Sequence, residues 1–223
     1  MTKKLFFEAI IKFVLGVLLV AAALFLPAGT LTYVNAWLFL GILFLPMFGA
    51  GLVMMVKNPS LLRKRLEGKE KQREQGILVK LSGLMFLTGF LIAGLGVRFQ
   101  WYMLPNTVAI PAAVLFLFSY MLYAEVLREN TYLSRTIQVQ ENQKVIDSGL
   151  YGIIRHPMYT ATIFLFLSMP LVLGSIYAFL IFLIYPVLII QRLKKEEEFL
   201  EKELEGYKEY KKKVKYRLFP FVW

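Results

Sequence analysis

The chain has 223 residues, of which 58% are hydrophobic and 18% charged, with 26 Lys and Arg against 15 Asp and Glu for a formal charge of +11. A soluble domain carries about a quarter charged residues; here the charges are also bunched, into residues 57–80 and 192–217, which is the texture of an integral membrane protein. No cysteine and a single histidine exclude disulfides, thiolate metal sites and a multi-histidine metal centre, and a basic excess that flanks apolar spans suits anionic lipid headgroups better than nucleic acid.

In chain order, MTKK followed by an apolar run has the outline of a signal peptide. No small-residue cleavage site follows and more spans come later, so it is expected to be a retained first helix. Apolar segments follow at about Phe6–Leu26, Val34–Val56, Ile77–Val97 and Val108–Leu127. Between the second and third lies NPSLLRKRLEGKEKQREQG, residues 58–76, with Leu61, Leu62 and Leu66 at helical spacing among basic residues. It is expected to lie along the membrane surface or to form a solvated charged loop. The last apolar stretch, Tyr159–Gln191, is too long for one span of ~20 residues and short for two. Gly174 and Ser175 near its middle predict a tight hairpin of two short helices; a single helix bent at Pro170 and Pro186 is the competing form. With a cytosolic N-terminus, the inner segments hold nearly all the Lys and Arg, and the outer turns hold only Arg98. An even number of spans satisfies the positive-inside rule. The expected architecture is an all-α polytopic membrane bundle of five to six spans. Residues 1–127 form N-terminal membrane helices, and 128–223 a second region with the His-Pro segment, the hairpin and the C-terminal helix. Composition suggests a prokaryotic cytoplasmic membrane protein with both termini cytosolic.

The polar segment 129–159 ends in GLYGIIRHPMY and has turn signals at Glu141-Asn142 and Asp147-Ser148-Gly149. Pro157 suits the first turn of a helix and restrains the backbone of His156, the lone imidazole. His156 either serves chemistry, caps that helix or packs on Tyr. A hairpin brings the segment back to RLKKEEEFL, from residue 192. There Arg192 and Glu196 share a helix face and Glu197 lies about 100° round. The bland alternative is a surface charge ladder, favoured for Glu198, Glu201 and Glu203. Leu193, Leu200, Leu204 and Tyr207 predict one apolar stripe on the tail helix.

Together, GLYGIIRHPMY, which corresponds to G-x-Y-x-x-x-R-H-P-x-Y, and RLKKEEEFL, which corresponds to R-x-x-x-E-E-x-x-L, resemble the isoprenylcysteine carboxyl methyltransferase family, itself similar to the phospholipid N-methyltransferases. The resemblance runs from about Glu129 to the end and more weakly through the earlier spans. It implies a membrane-embedded enzyme that uses S-adenosylmethionine, without a Rossmann domain; the chain shows no G-x-G-x-x-G helix entrance after a strand. It implies a cytosolic cofactor pocket closed by the C-terminal helix. Gln140, Gln143, Lys144, Val145, Ile146, Tyr151, His156, Pro157, Met158, Tyr159, Glu196 and Glu197 match cofactor-contacting positions. Arg192 matches a substrate-facing one. Arg192, Glu196 and His156 are the implied catalytic residues, and no metal is implied. Many members have His where Gln143 stands, so a backbone contact is the safer expectation there.

The residue types suit such chemistry. Tyr faces stabilise a cation by roughly 0.5–2 kcal/mol, and a glutamate accepts from an ammonium or ribose hydroxyls. Methyl transfer needs alignment and exclusion of water more than acid–base work. The expected acceptor is lipid-like or prenylated, by carboxylate O-methylation or alternatively by N-methylation of a phospholipid or amine. Two other classes stay open: a membrane reductase of the sterol-reductase kind using NADPH, and a non-enzymatic scaffold or permease. Few interior charges beyond Glu125 and Arg128 speak against transport.

Overall fold

The computed structural model describes residues 3–66, 73–133 and 139–223. It is an all-α bundle. Four long helices, α1 (Lys3–Ala28), α2 (Val34–Lys57), α4 (Arg73–Arg98) and α5 (Asn106–Glu129), are joined by short connections and by α3 (Pro59–Leu66). Then come α6 (Pro157–Val172), α7 (Ile176–Phe182), α8 (Ile184–Glu203) and α9 (Tyr207–Lys213). Among the described residues, five helical stretches are long and apolar enough to cross a bilayer: Leu5–Ala28, Val34–Lys57, Gly76–Arg98, Asn106–Glu129 and Ile176–Glu203. The protein is therefore a multi-pass membrane protein. The sixth apolar segment, α6, has 16 residues, or about 24 Å against the ~30 Å of a hydrocarbon core.

The hairpin is present and the single bent helix is not. Gly174 at φ +72° turns the chain, and Ser175 caps α7 by accepting from the Ala178 amide. The Tyr33 hydroxyl donates to the Leu173 carbonyl and pins the turn to the start of α2. Pro186 has no N–H for the Phe182 carbonyl, and the helix breaks at Leu183 between α7 and α8. One core runs through the long helices, α6, α7 and α8, with Phe39, Phe116 and Phe182 fully buried. Gly89 belongs to it by necessity: a Cβ there would lie 2.3 Å from the Phe182 ring.

Leu61 and Leu62 are buried, so α3 packs as an amphipathic helix rather than a solvated loop. Residues 67–72 of that segment lie outside the described residues. The tail corrects another expectation. Leu204 caps the end of α8 and Tyr207 opens a new helix, because Gly206 at φ +81° turns the chain between them. The single apolar stripe is thus divided. Leu204, Tyr207, Tyr210 and Val214 form a small core of their own against Val139 and Val145.

Candidate functional site

The His-Pro segment is held from both sides. The Arg155 and His156 amides donate to the carbonyls of Tyr216 and Arg217, each at 2.9 Å, so the C-terminal segment runs beside it like a short parallel strand. The Thr160 hydroxyl donates to the Leu218 carbonyl at 2.7 Å. Pro157 occupies the first turn of α6, and His156 stands at the cap position without a side-chain capping bond. Its ring stacks on Tyr159, with centroids 5.6 Å apart and 22° between planes. Of the bland alternatives for His156, packing on Tyr is seen and capping is not.

Upstream, Gly149 and Glu129 make a tight fit. Both Glu129 carboxylate oxygens accept from the Leu150 amide, at 3.2 and 3.0 Å, opening the 3-10 turn Gly149–Gly152. Gly149 has φ +56°, and a Cβ there would overlap the Glu129 carboxylate at 1.9 Å. The expected turn at Glu141-Asn142 forms with Asn142 at φ +57°. The Gln143 side chain closes it by accepting from the Gln140 amide at 2.9 Å.

Behind α8 lies a buried charge cluster. Glu197 is 3% exposed and Arg155 7%, too dry for an uncompensated charge. Arg155 Nε donates to Glu197 Oε1 at 2.6 Å, and its Nη1 donates to the Val214 and Lys215 carbonyls at 2.8 Å. Arg217 Nε donates to Glu197 Oε2 at 3.0 Å. His156 Nε2 lies 3.1 Å and Lys211 Nζ 3.6 Å from the same carboxylate. One carboxylate thus ties the His-Pro segment, α8, α9 and the C-terminal segment together.

In front of α8 is a cavity of about 470 Å³. One wall is polar: Gln143, Lys144, Val145, Ile146, Tyr151, His156, Met158, Tyr159, Arg192 and Glu196. The other is largely apolar, with Leu78, Val79, Gly83 and Phe86 of α4, Phe166 of α6, and Tyr185, Leu188 and Ile189 of α8. On the polar wall the Tyr159 hydroxyl donates to Glu196 and accepts from Arg192 Nε at 3.2 Å. The chain therefore brings together the two motifs that the sequence separates by a hairpin. Gln140, Pro157 and Glu197 stand off this wall: Gln140 in the turn, Pro157 in the core, Glu197 in the charge cluster.

Tyr207, Tyr210, Arg65 and the α4 face also line the cavity, and all of them lie outside the two motifs. For Tyr207 the Lys- and Tyr-rich tail was the available signal; α4 looks in sequence like any other span. The Tyr210 hydroxyl donates to the Tyr151 carbonyl at 2.8 Å. The Tyr207 hydroxyl is buried on the cavity wall and has no hydrogen-bond partner among the described residues. A buried orphan donor costs about 1–3 kcal/mol, so a ligand that accepts from it recovers that cost. Burial pushes the Tyr151, Tyr207 and Tyr210 phenols well above their ordinary range. They stay protonated and are available as hydrogen-bond donors.

The comparisons with known proteins agree with this half of the molecule. Residues 107–206 match the family model described as phospholipid methyltransferase. Over 91 residues the chain is also 30% identical to the delta(14)-sterol reductase TM7SF2 of Mus musculus, a match covering 40% of this chain and 22% of that protein. The chain thus matches little more than a fifth of the reductase's length. The matched region spans α5, the His-Pro segment, the hairpin and α8, and over residues 107–206 the chain is similar to the phospholipid methyltransferase family.

Proposed function

We propose that the protein is an S-adenosylmethionine-dependent membrane methyltransferase acting on a lipid-like or lipid-modified acceptor. Residues 128–223 form its catalytic region, and α3 and α4 supply the remaining walls. The observation that carries this is the two-sided cavity, with the Glu196–Tyr159–Arg192 hydrogen-bond chain on one wall and membrane-helix side chains on the other.

The residues present fit the cofactor. Glu196 can accept from its ammonium or ribose hydroxyls. The orphan Tyr207 hydroxyl can donate to its carboxylate or ribose. The faces of Tyr151 and Tyr159 can stabilise a cation, and the backbone amides of residues 144–146 offer further donors. When bound, the cofactor supplies a methyl group on a sulfonium for transfer to a nucleophile. Arg192 orients a carboxylate acceptor, which needs no general base. An amine acceptor must lose a proton, and Glu196 and His156 are the titratable groups on the wall to take it. The buried charge cluster holds the His-Pro segment against α8 and keeps the wall in place.

Calorimetry of the detergent-purified protein with S-adenosylmethionine, its demethylated product and NADPH tests the reading, with Glu196→Ala as control. Methionine-cofactor binding that the variant loses supports it. Binding of NADPH alone overturns it in favour of the second reading, a reductase, for which the similarity to the sterol reductase is the specific observation.

A further inference from the structure

Helix α6 is short for a bilayer, and the C-terminal segment runs along the end where the His-Pro motif stands. Its 16 residues fall about 6 Å short of a hydrocarbon core. The segment after α9 descends beside it. The Tyr216 and Arg217 carbonyls accept from the Arg155 and His156 amides, just before the helix starts. The Leu218 carbonyl accepts from the Thr160 hydroxyl in the first turn. The Phe219 ring then packs edge-to-face on Phe164, with centroids 5.7 Å apart. Phe164 lies about 10 Å along α6 from Pro157, so the segment reaches membrane depth.

Beyond Phe219 the chain turns back and leaves apolar side chains pointing outward. Phe221 is 88% exposed and Val222 78%. Ile153, next to the backbone bridge between Ile154 and Tyr216, is exposed too. Phe164 is itself exposed on α6, so the patch continues the apolar outer surface of the bundle. The turn satisfies its own backbone. The Trp223 backbone oxygen accepts from the Arg217, Leu218 and Phe219 amides at 2.9, 3.0 and 3.3 Å. The Phe219 carbonyl accepts from the Val222 and Trp223 amides, each at 3.2 Å, and Pro220 has no N–H to satisfy. Such pairing suits a place where water is scarce. Cations flank the patch: Lys212 and Lys215 are exposed, and the Arg217 guanidinium sits 4.8 Å from the centre of the Trp223 ring. Cations beside aromatic and aliphatic groups match the layering of headgroups over acyl chains.

We propose that the turn at residues 218–223 is a membrane anchor, which seats Phe221 and Val222 in the headgroup–acyl boundary of the leaflet at the His-Pro end of α6. The occupant of the patch is the bilayer, and the turn supplies the apolar surface that α6 is too short to supply. The same segment holds Arg155 and His156 by backbone bonds and brings Arg217 to Glu197 at 3.0 Å. The leaflet and the cavity wall are therefore joined through it.

The chain has no cysteine, so a single nitroxide label can be placed without removing native thiols. Val222→Cys and Ile153→Cys carry the label on the patch, in the full-length protein reconstituted into phosphatidylcholine–phosphatidylglycerol liposomes. Lys208→Cys, exposed on α9, is the water control. Val114→Cys, exposed on α5, is the hydrocarbon control. The ratio of collisions with oxygen to collisions with a water-soluble nickel chelate should be about fivefold higher at both patch positions than at Lys208→Cys, as burial ~5–10 Å into the boundary requires. A ratio equal to that of Lys208→Cys overturns the proposal, because the patch then faces water. Low collision with both reagents overturns it as well: with spin–spin broadening the occupant is a second copy of the chain, and without broadening it is another part of the same chain. The measurement is independent of which cofactor the cavity takes.

Discussion

Glu196 and Glu197 are adjacent on α8, yet they serve two different regions. Glu197 faces the C-terminal segment, where three basic side chains and the His156 ring surround it at 2.6 to 3.6 Å. Glu196 faces the cavity, where it meets a phenol that Arg192 also contacts. The first region is dry and closed by contacts within the chain. The second is a wall with open space in front and, at Tyr207, an unmet donor. A pair of like residues about 100° apart on a helix can therefore divide between holding the fold and presenting chemistry. The same division explains why Arg155, although on the cavity lining, is committed to structure: its guanidinium bonds are taken by Glu197 and two carbonyls.

Four substitutions break or sharpen this contrast. Glu197→Ala should have the largest effect, because it leaves Arg155 buried without its anion, at about 3–5 kcal/mol. A clear fall in apparent Tm in detergent is expected; a Tm within error of wild type would mean the cluster holds nothing. Glu196→Ala should do the opposite, leaving Tm nearly unchanged while cofactor affinity in calorimetry falls about 10- to 100-fold, the worth of a hydrogen bond to a charged group. If the variant unfolds early instead, Glu196 belongs with Glu197.

Gly149→Ala combines the left-handed backbone cost of about 1–2 kcal/mol with displacement of the Glu129 carboxylate. Its Tm should fall, and faster proteolysis at the 3-10 turn should accompany the change. Tyr207→Phe is the smallest and the most discriminating. It removes a buried hydroxyl that has no partner, so the ligand-free protein should hold its Tm or gain slightly. Cofactor binding should weaken by about 2- to 10-fold, the worth of one neutral hydrogen bond. Loss of stability with unchanged binding would show that this hydroxyl belongs to the structural region.

Most of the helical architecture was legible in the sequence. The long apolar runs define the spans because a bilayer requires ~20 apolar residues per helix, and Gly174-Ser175 marks the reversal by local backbone chemistry. Pro157 marks the start of α6 for the same reason. The turn residues Asn142, Gly149 and Gly206 carry positive φ. The first two fall on turn signals of the sequence, whereas Gly206 sits inside an apolar stripe whose neighbours keep the helical period. The motif pair also identified the polar wall, since a hairpin must bring its two ends together.

The division of labour along that wall was beyond the sequence. Periodicity separates Glu196 from Glu197 by angle, but it cannot say that Arg217 and Lys211 return to face one of them. That depends on the C-terminal segment pairing with Arg155 and His156 through backbone hydrogen bonds, a contact between residues about 60 positions apart. Nor could the sequence show that Arg65 and Gly83, on helices outside the motifs, meet at the same cavity. Local composition and motif spacing determined the spans, the reversal and the polar half of the candidate site. Long-range packing alone decided which charges are buried and which side chains complete the cavity, because burial and charge pairing depend on neighbours brought together from distant parts of the chain.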